Sequence, residues 1–424
     1  MIVSKGDNSF SAIIAIFVAI IVLPFIGFLN SYIFQDRNVI FLFCSLCLAA
    51  FVVFSHGRSG FHFFPTILMA LLGFVSYMWI RLNDKIVPPL AESLSFDIMR
   101  HSGYVDIFHQ FVFFGIFIAA GNLYRLRGFS LPLWLVICGY ILGYMARNST
   151  PYQLEVLYHG YNISPGITVF SLLPFVFLNP FKKKGIYAYL PHGLFFLCCC
   201  WVFIIRARGP LLGIIAFFVF YLFWPTFCVE RRKFLLVFWG LVAFLGLLLG
   251  LYMFITNSAI GYDVNEFSRT VFNKSIFTRS LFWNELFELV ASHPLVGFGT
   301  EKGSYSFMPV FFIARRDNLA SHSMYIELLI RLGAVGLILY LLIFFMIWRI
   351  FWIGRDELAV RVAGSYLLAS LIFAASGQYW IFIGQLKSAF SWALLGIGAG
   401  ASLRVQKDNK SEQLRGEGVA QVLR

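Results

Sequence analysis

Long apolar runs, interrupted by short basic or polar clusters, set what this chain can fold into. One crossing of a bilayer's hydrocarbon core takes about 20 apolar residues. Runs bounded by charges give about twelve such segments in the 424 residues, centred near 19, 47, 70, 115, 138, 173, 197, 220, 245, 337, 370 and 391. The sixth and eighth are short. Sixty per cent of the residues are hydrophobic and 12% are charged, more apolar surface than a soluble domain of this length can hide. The expected fold is an all-α integral membrane protein. The first run, 10–28, follows Lys5 and has no small-x-small cleavage site, so it reads as an uncleaved span. Seven cysteines lie inside apolar runs with no zinc-like spacing, and read as buried free thiols.

Basic residues in short connections orient the spans. With the N-terminus inside, His56–Arg58, Arg125–Arg127, Lys182–Lys184, Arg231–Lys233, Arg349–Arg361 and the tail from Arg404 all fall on the cytoplasmic side. The polar tail reads as disordered. The division is then 1–256 with spans one to nine, a long external loop at 257–322, spans ten to twelve over 323–402, and a cytoplasmic tail at 403–424. Within the loop, Leu281, Phe282, Leu286, Phe287, Leu289 and Val290 share one face of an amphipathic helix that ends before Pro294. Gly246-xxx-Gly250 and Gly396-xxx-Gly400 suit close helix packing.

The external side keeps positive charge where the orientation rule disfavours it: Arg206, Arg208, Arg269, Lys274, Arg279, Lys302, Arg315 and Arg316. This suggests an anionic ligand, with phosphates the natural candidates. Contact with anionic lipid head groups is the alternative. Arg206 and Arg208 follow the seventh span directly, where an arginine either lines a polar cavity or snorkels to the interface. Arg279 opens the amphipathic stretch, as a ligand contact or an interface anchor. Lys302, Arg315 and Arg316 lie in irregular loop as ligand contacts or solvated charges. His322 ends the loop where the tenth span begins. A histidine there either takes a proton from a hydroxyl or hydrogen-bonds a nearby carbonyl. Lys387 sits at the edge of the last span. No phosphate-binding loop is present, so use of a nucleoside triphosphate is not expected.

Two signatures resemble the O-antigen ligase family of lipopolysaccharide assembly, within the O-antigen ligase and polymerase superfamily. One is His322-Ser323, nine residues, Gly333, two residues, Gly336; the other is Arg208-Gly-Pro-Leu-Leu212. Arg279-x-x-x-Trp283 followed by His293-Pro-Leu-Val-Gly-Phe-Gly299 is similar to the superfamily's loop pattern. Arg331 departs from it, at a position often acidic, although Glu327 one turn earlier could pair with it.

The resemblance implies a GT-C-like membrane glycosyltransferase of the bacterial inner membrane, with a periplasmic active site. The donor would be O-antigen on undecaprenyl diphosphate, and the acceptor a sugar hydroxyl of lipid A–core. Nucleic acid is not an expected partner, and neither a cofactor nor a metal is required. His322 would be the general base, and Arg208 and Arg279 would hold the diphosphate. Arg206, Lys302, Arg315, Arg316, Trp283 and Tyr325 would be further substrate contacts. An O-antigen polymerase or another lipid-linked oligosaccharide transferase is the nearest alternative. A transporter would need more charge inside the spans.

Overall fold

A computed structural model describes residues 65–81, 103–149, 163–179, 189–256, 277–300, 323–376 and 386–422. The described residues form helices and no strand: α1 (Pro65–Ile80), α2 (Gly103–Arg127), α3 (Leu131–Arg147), α4 (Ile163–Val176), α5 (Leu190–Ile204), α6 (Arg208–Phe227), α7 (Arg231–Thr256), α8 (Phe277–Ser292), α9 (Met324–Phe351), α10 (Leu358–Ser376) and α11 (Leu386–Val422). A helix stands at each of the ten apolar runs that fall on described residues. The runs centred near 19 and 47 lie outside them. Among the described residues, four stretches are long and apolar enough to cross a membrane, namely Arg208–Phe227, Arg231–Leu251, Met324–Phe351 and Leu358–Ala375. The sixth run is short as expected, a helix of 14 residues, but the eighth extends to 20.

The tail corrects the sequence reading. Instead of being disordered, the chain continues as helix through Val422. From Arg404 it has no proline and is rich in Lys, Arg, Glu and Gln, whose straight side chains lose little freedom in a helix.

The basic clusters gather at one end of the bundle. Trp224 Nε1 on α6 donates to the Arg355 carbonyl (2.8 Å), and Arg361 Nε donates to the Tyr221 carbonyl (2.8 Å). Trp348 Nε1 on α9 donates to the Phe234 carbonyl at the start of α7 (2.8 Å). Tyr124 at the end of α2 lies within electrostatic reach of Glu357 and Arg404. Four of the connections expected on the cytoplasmic side therefore meet there. Between α2 and α11 the backbones nearly touch, since a Cβ on Gly396 or Gly400 would run into the carbonyls of Phe117 and Gly121. The second small-residue motif is not used this way: Gly246 and Gly250 face open space.

At the opposite end, α9 is interrupted. Gly333 has φ 65° and ψ −167°, a conformation essentially reserved for glycine. At about 1.5 Å per residue, the 28 residues of α9 would span roughly 42 Å, well beyond an about 30 Å hydrocarbon core. The part after Gly333 is roughly 27 Å long by the same measure. By length, the part after Gly333 nearly suffices for one crossing, and the first nine residues of α9 add to it. The exposed apolar side chains of Trp79, Ile80, Leu295 and Val296 cluster around the break, as an interfacial belt does. A small second core sits on those nine residues, where Trp283 and Leu286 of α8 pack with Phe298, Ile326 and Ile330, flanked by Leu249 of α7.

Candidate active site

Three groups of residues lie toward the interrupted end of the bundle. The first is a short connection between α5 and α6. After Ile204, the N–H of Ala207 donates to the Val202 carbonyl (3.1 Å) and the N–H of Arg206 to the Phe203 carbonyl (2.9 Å). This pair of bonds closes a helix with a left-handed residue, usually glycine. Here that residue is Arg206, with φ 58°, the only non-glycine at positive φ among the described residues. Ile205 and Ala207 are buried and alternate with exposed Arg206 and Arg208. Two apolar pins thus turn both arginines outward from one turn. Arg208 is the first residue of α6, which has no acidic residue in its first turn. Cationic side chains at the positive end of a helix are disfavoured unless an anion lies between them.

The second group is a backbone knot around the break in α9. In an unbroken helix the Ile330 and Arg331 carbonyls would accept from Ala334 and Val335. Instead they accept from Phe298 N–H (2.8 Å) and Gly299 N–H (2.9 Å). Ala334 and Val335 donate in exchange to the Pro294 (2.8 Å) and Leu295 (3.0 Å) carbonyls. Tyr77 Oη on α1 donates to the Leu332 carbonyl (3.0 Å). The opened helix therefore leaves these backbone groups satisfied, the condition for irregular backbone at membrane depth. The close fit requires glycine on both sides: a Cβ on Gly297 would lie 2.6 Å from the Ile330 carbonyl oxygen, and one on Gly333 would overlap the Leu295 carbonyl. The sequence patterns His293–Gly299 and Gly333–Gly336 are thus two halves of one structural device.

The third group is an ion pair beside the knot. Arg331 Nε donates to Glu327 Oε1 at 2.8 Å, with Glu327 0% and Arg331 5% exposed. Arg331 Nη1 also donates to the Thr300 carbonyl (3.1 Å). The departure at Arg331 is compensated within one helical turn, as its spacing from Glu327 anticipated.

The three groups are connected through the bundle. A Cβ on Gly213 of α6 would touch the Phe170 ring. Phe170 packs against Phe373 of α10 with centroids 5.1 Å apart. Two residues earlier, the Leu371 carbonyl accepts from Tyr325 Oη (2.7 Å), next to the start of α9. The Arg208 turn and the start of α9, which begins two residues after His322 in sequence, therefore flank the same end of α10.

His322, Lys302, Arg315 and Arg316 lie outside the described residues. Arg279 lies in the first turn of α8, one turn before Trp283, and its side chain is outside them too, as is that of Lys387 on α11. Trp283 is 8% exposed within the second core. Tyr325 holds α9 to α10 through its hydroxyl. Both expected substrate contacts thus carry a structural role. Arg81, which the sequence reading passed over, proves central to the knot. Its only sequence signal is a lone arginine closing an apolar run.

No curated protein matches the chain. The family model described as O-antigen ligase matches residues 193–341, from α5 past the break in α9. That stretch contains the Arg206–Arg208 turn, α8, both halves of the knot and the buried ion pair. Over residues 193–341 the chain is therefore similar to the O-antigen ligase family, the family that its motifs resemble.

Proposed function

We propose that this protein is an O-antigen ligase of the bacterial inner membrane. It transfers O-antigen from undecaprenyl diphosphate to a sugar hydroxyl of lipid A–core at the periplasmic face, with both termini cytoplasmic. One observation carries the reading: the family match covers both the outward arginine pair and the histidine that enters α9.

The chemistry follows from the donor. A sugar on a diphosphate already has a good leaving group, so the enzyme need supply only a base and a counter-charge. Arg208 and Arg279, supported by Arg206, hold the diphosphate. Lys302, Arg315 and Arg316 add contacts to the anionic substrates. His322 takes the acceptor hydroxyl proton as the oxygen attacks the anomeric carbon. The bond from that carbon to the diphosphate oxygen breaks, undecaprenyl diphosphate leaves, and the anomeric centre inverts. Neither ATP nor a metal ion enters the scheme, because arginines provide the counter-charge.

The test is transfer by purified protein supplied with lipid-linked O-antigen, with or without lipid A–core. His322→Ala should abolish transfer at unchanged protein level. Arg208→Lys and Arg279→Lys should impair it, because lysine keeps the charge and loses the two-pronged fork. Chain growth from donor alone, with no product on lipid A–core, would instead identify a polymerase.

Arg206 allows a separate check. A left-handed L-residue costs roughly 1–2 kcal/mol, and glycine would relieve much of this. Arg206→Gly is expected to raise the melting temperature of the purified protein while weakening donor binding. A variant with lower thermal stability would show that the turn is held by other means. Unchanged donor affinity would remove Arg206 from the binding site.

A further inference from the structure

Arg81 closes α1 and reaches across to the loop that precedes residues 301–322. Its Nε donates to the Val296 carbonyl (3.1 Å) and its Nη2 to the Gly297 carbonyl (2.8 Å). Its own carbonyl accepts from Thr300 N–H (3.0 Å). Thr300 Oγ1 donates to the Met78 carbonyl, one turn back on α1 (2.9 Å). The Thr300 carbonyl is held from the other side by Arg331. Thr300 is therefore fixed through its N–H, its hydroxyl and its carbonyl.

The position of Thr300 in the chain gives this fixing its meaning. Residues 301–322 follow Thr300 in sequence and end at His322, and Ser323 follows at the N-cap position of α9. The Ser323 carbonyl accepts from Glu327 N–H (3.1 Å), and Glu327 binds Arg331, which binds Thr300. Thr300 and Ser323, the described residues on either side of 301–322, thus hang on one hydrogen-bonded frame. The bonds within α9 and from the loop to α9 account for one side of that frame. Arg81 supplies the other, from an element more than two hundred residues away in sequence. It also satisfies the two carbonyls, Val296 and Gly297, for which no described α9 bond is present. A guanidinium suits this task because its planar fork reaches two adjacent acceptors at once.

We propose that Arg81 is a positioning residue for the transfer reaction, holding the Val296–Thr300 loop against the start of α9, next to which the sequence carries His322. The proposal rests on His322 being the base. The bond to the Val296 carbonyl lies at an exposed position, so water can replace the guanidinium there. Loss of Arg81 should therefore leave a folded protein whose reacting groups are misplaced. Misplacement on the scale of about 1 Å can lower rates by roughly 100-fold.

The experiment uses full-length protein in lipid nanodiscs with lipid-linked O-antigen and lipid A–core. Arg81→Ala and Arg81→Lys are compared with the parent for kcat, for KM toward each substrate and for melting temperature. We expect kcat to fall by roughly 10- to 100-fold in Arg81→Ala, with both KM values within twofold and the folded fraction preserved. Arg81→Lys should fall between the two, and added methylguanidinium should restore part of the Arg81→Ala rate. A rate per folded molecule equal to the parent's would overturn the proposal. So would a loss that tracks the folded fraction, or one confined to KM. His322→Ala is run in parallel. If it remains active, the base assignment fails, whereas the Arg81 rate and rescue still report whether the loop is held by the guanidinium.

Discussion

Replacing Gly333 with alanine should abolish transfer and sharply lower the melting temperature of the purified protein. The backbone there, φ 65° and ψ −167°, admits little but glycine. A methyl group would also overlap the Leu295 carbonyl, on the strand of loop that repairs the break in α9. The variant must either keep a strained backbone, at about 1–3 kcal/mol, or part the loop from the helix. Parting them exposes backbone groups of α9 and of the loop, each costing about 1–3 kcal/mol when buried without a partner. Gly246→Ala is the matched control, since it lies inside α7 with nothing within 4 Å. An alanine there should be neutral or slightly stabilising. The knot would be unnecessary to the fold if Gly333→Ala melted and transferred like the parent.

The second large effect concerns Glu327 and Arg331. Removing one member of a buried ion pair strands the other charge, typically at about 3–5 kcal/mol. Glu327→Leu and Arg331→Met are each expected to be strongly destabilised. Combined, they should recover much of the loss, because an apolar pair of similar volume is often as stable as the ions it replaces. Activity should not follow stability. The double variant still lacks the Arg331 bond to the Thr300 carbonyl, so its transfer should remain low. A double-mutant cycle in melting temperature and rate separates the two effects. Full activity in a stable double variant would show that Thr300 is held well enough from α1 alone.

Much of this architecture was legible in the sequence because it rests on local composition. Apolar runs gave the helices, and the basic clusters gave the end at which α6, α7, α9 and α10 join. The i, i+4 spacing gave the pairing of Glu327 with Arg331. A helix, α8, stands where an amphipathic one was expected and ends at Ser292 just ahead of Pro294, but its apolar residues do not gather on one side. The family match over 193–341 overlaps the stretch of roughly 200–350 where the motifs carried the resemblance. What escaped notice is mostly backbone chemistry between distant segments. The exchange of carbonyls between 294–299 and 330–335 involves no distinctive side chain, so it left only two glycine patterns. The left-handed Arg206 was hidden because Gly209, three residues on, is the residue a turn search would choose. Gly246 and Gly396 shared a motif and differed in use, since spacing alone does not say which helix face meets a neighbour.

The knot also bears on how the protein behaves in bilayers of different thickness. A smooth helix can slide or tilt to match its surroundings, and the groups it carries move with it. The pinned α9 cannot slide past the loop or α1 without breaking several bonds at once. Adjustment must then fall to peripheral helices such as α7, whose surface is mostly exposed. The level of the Val296–Thr300 loop and of the start of α9 becomes a property of the protein rather than of the membrane around it.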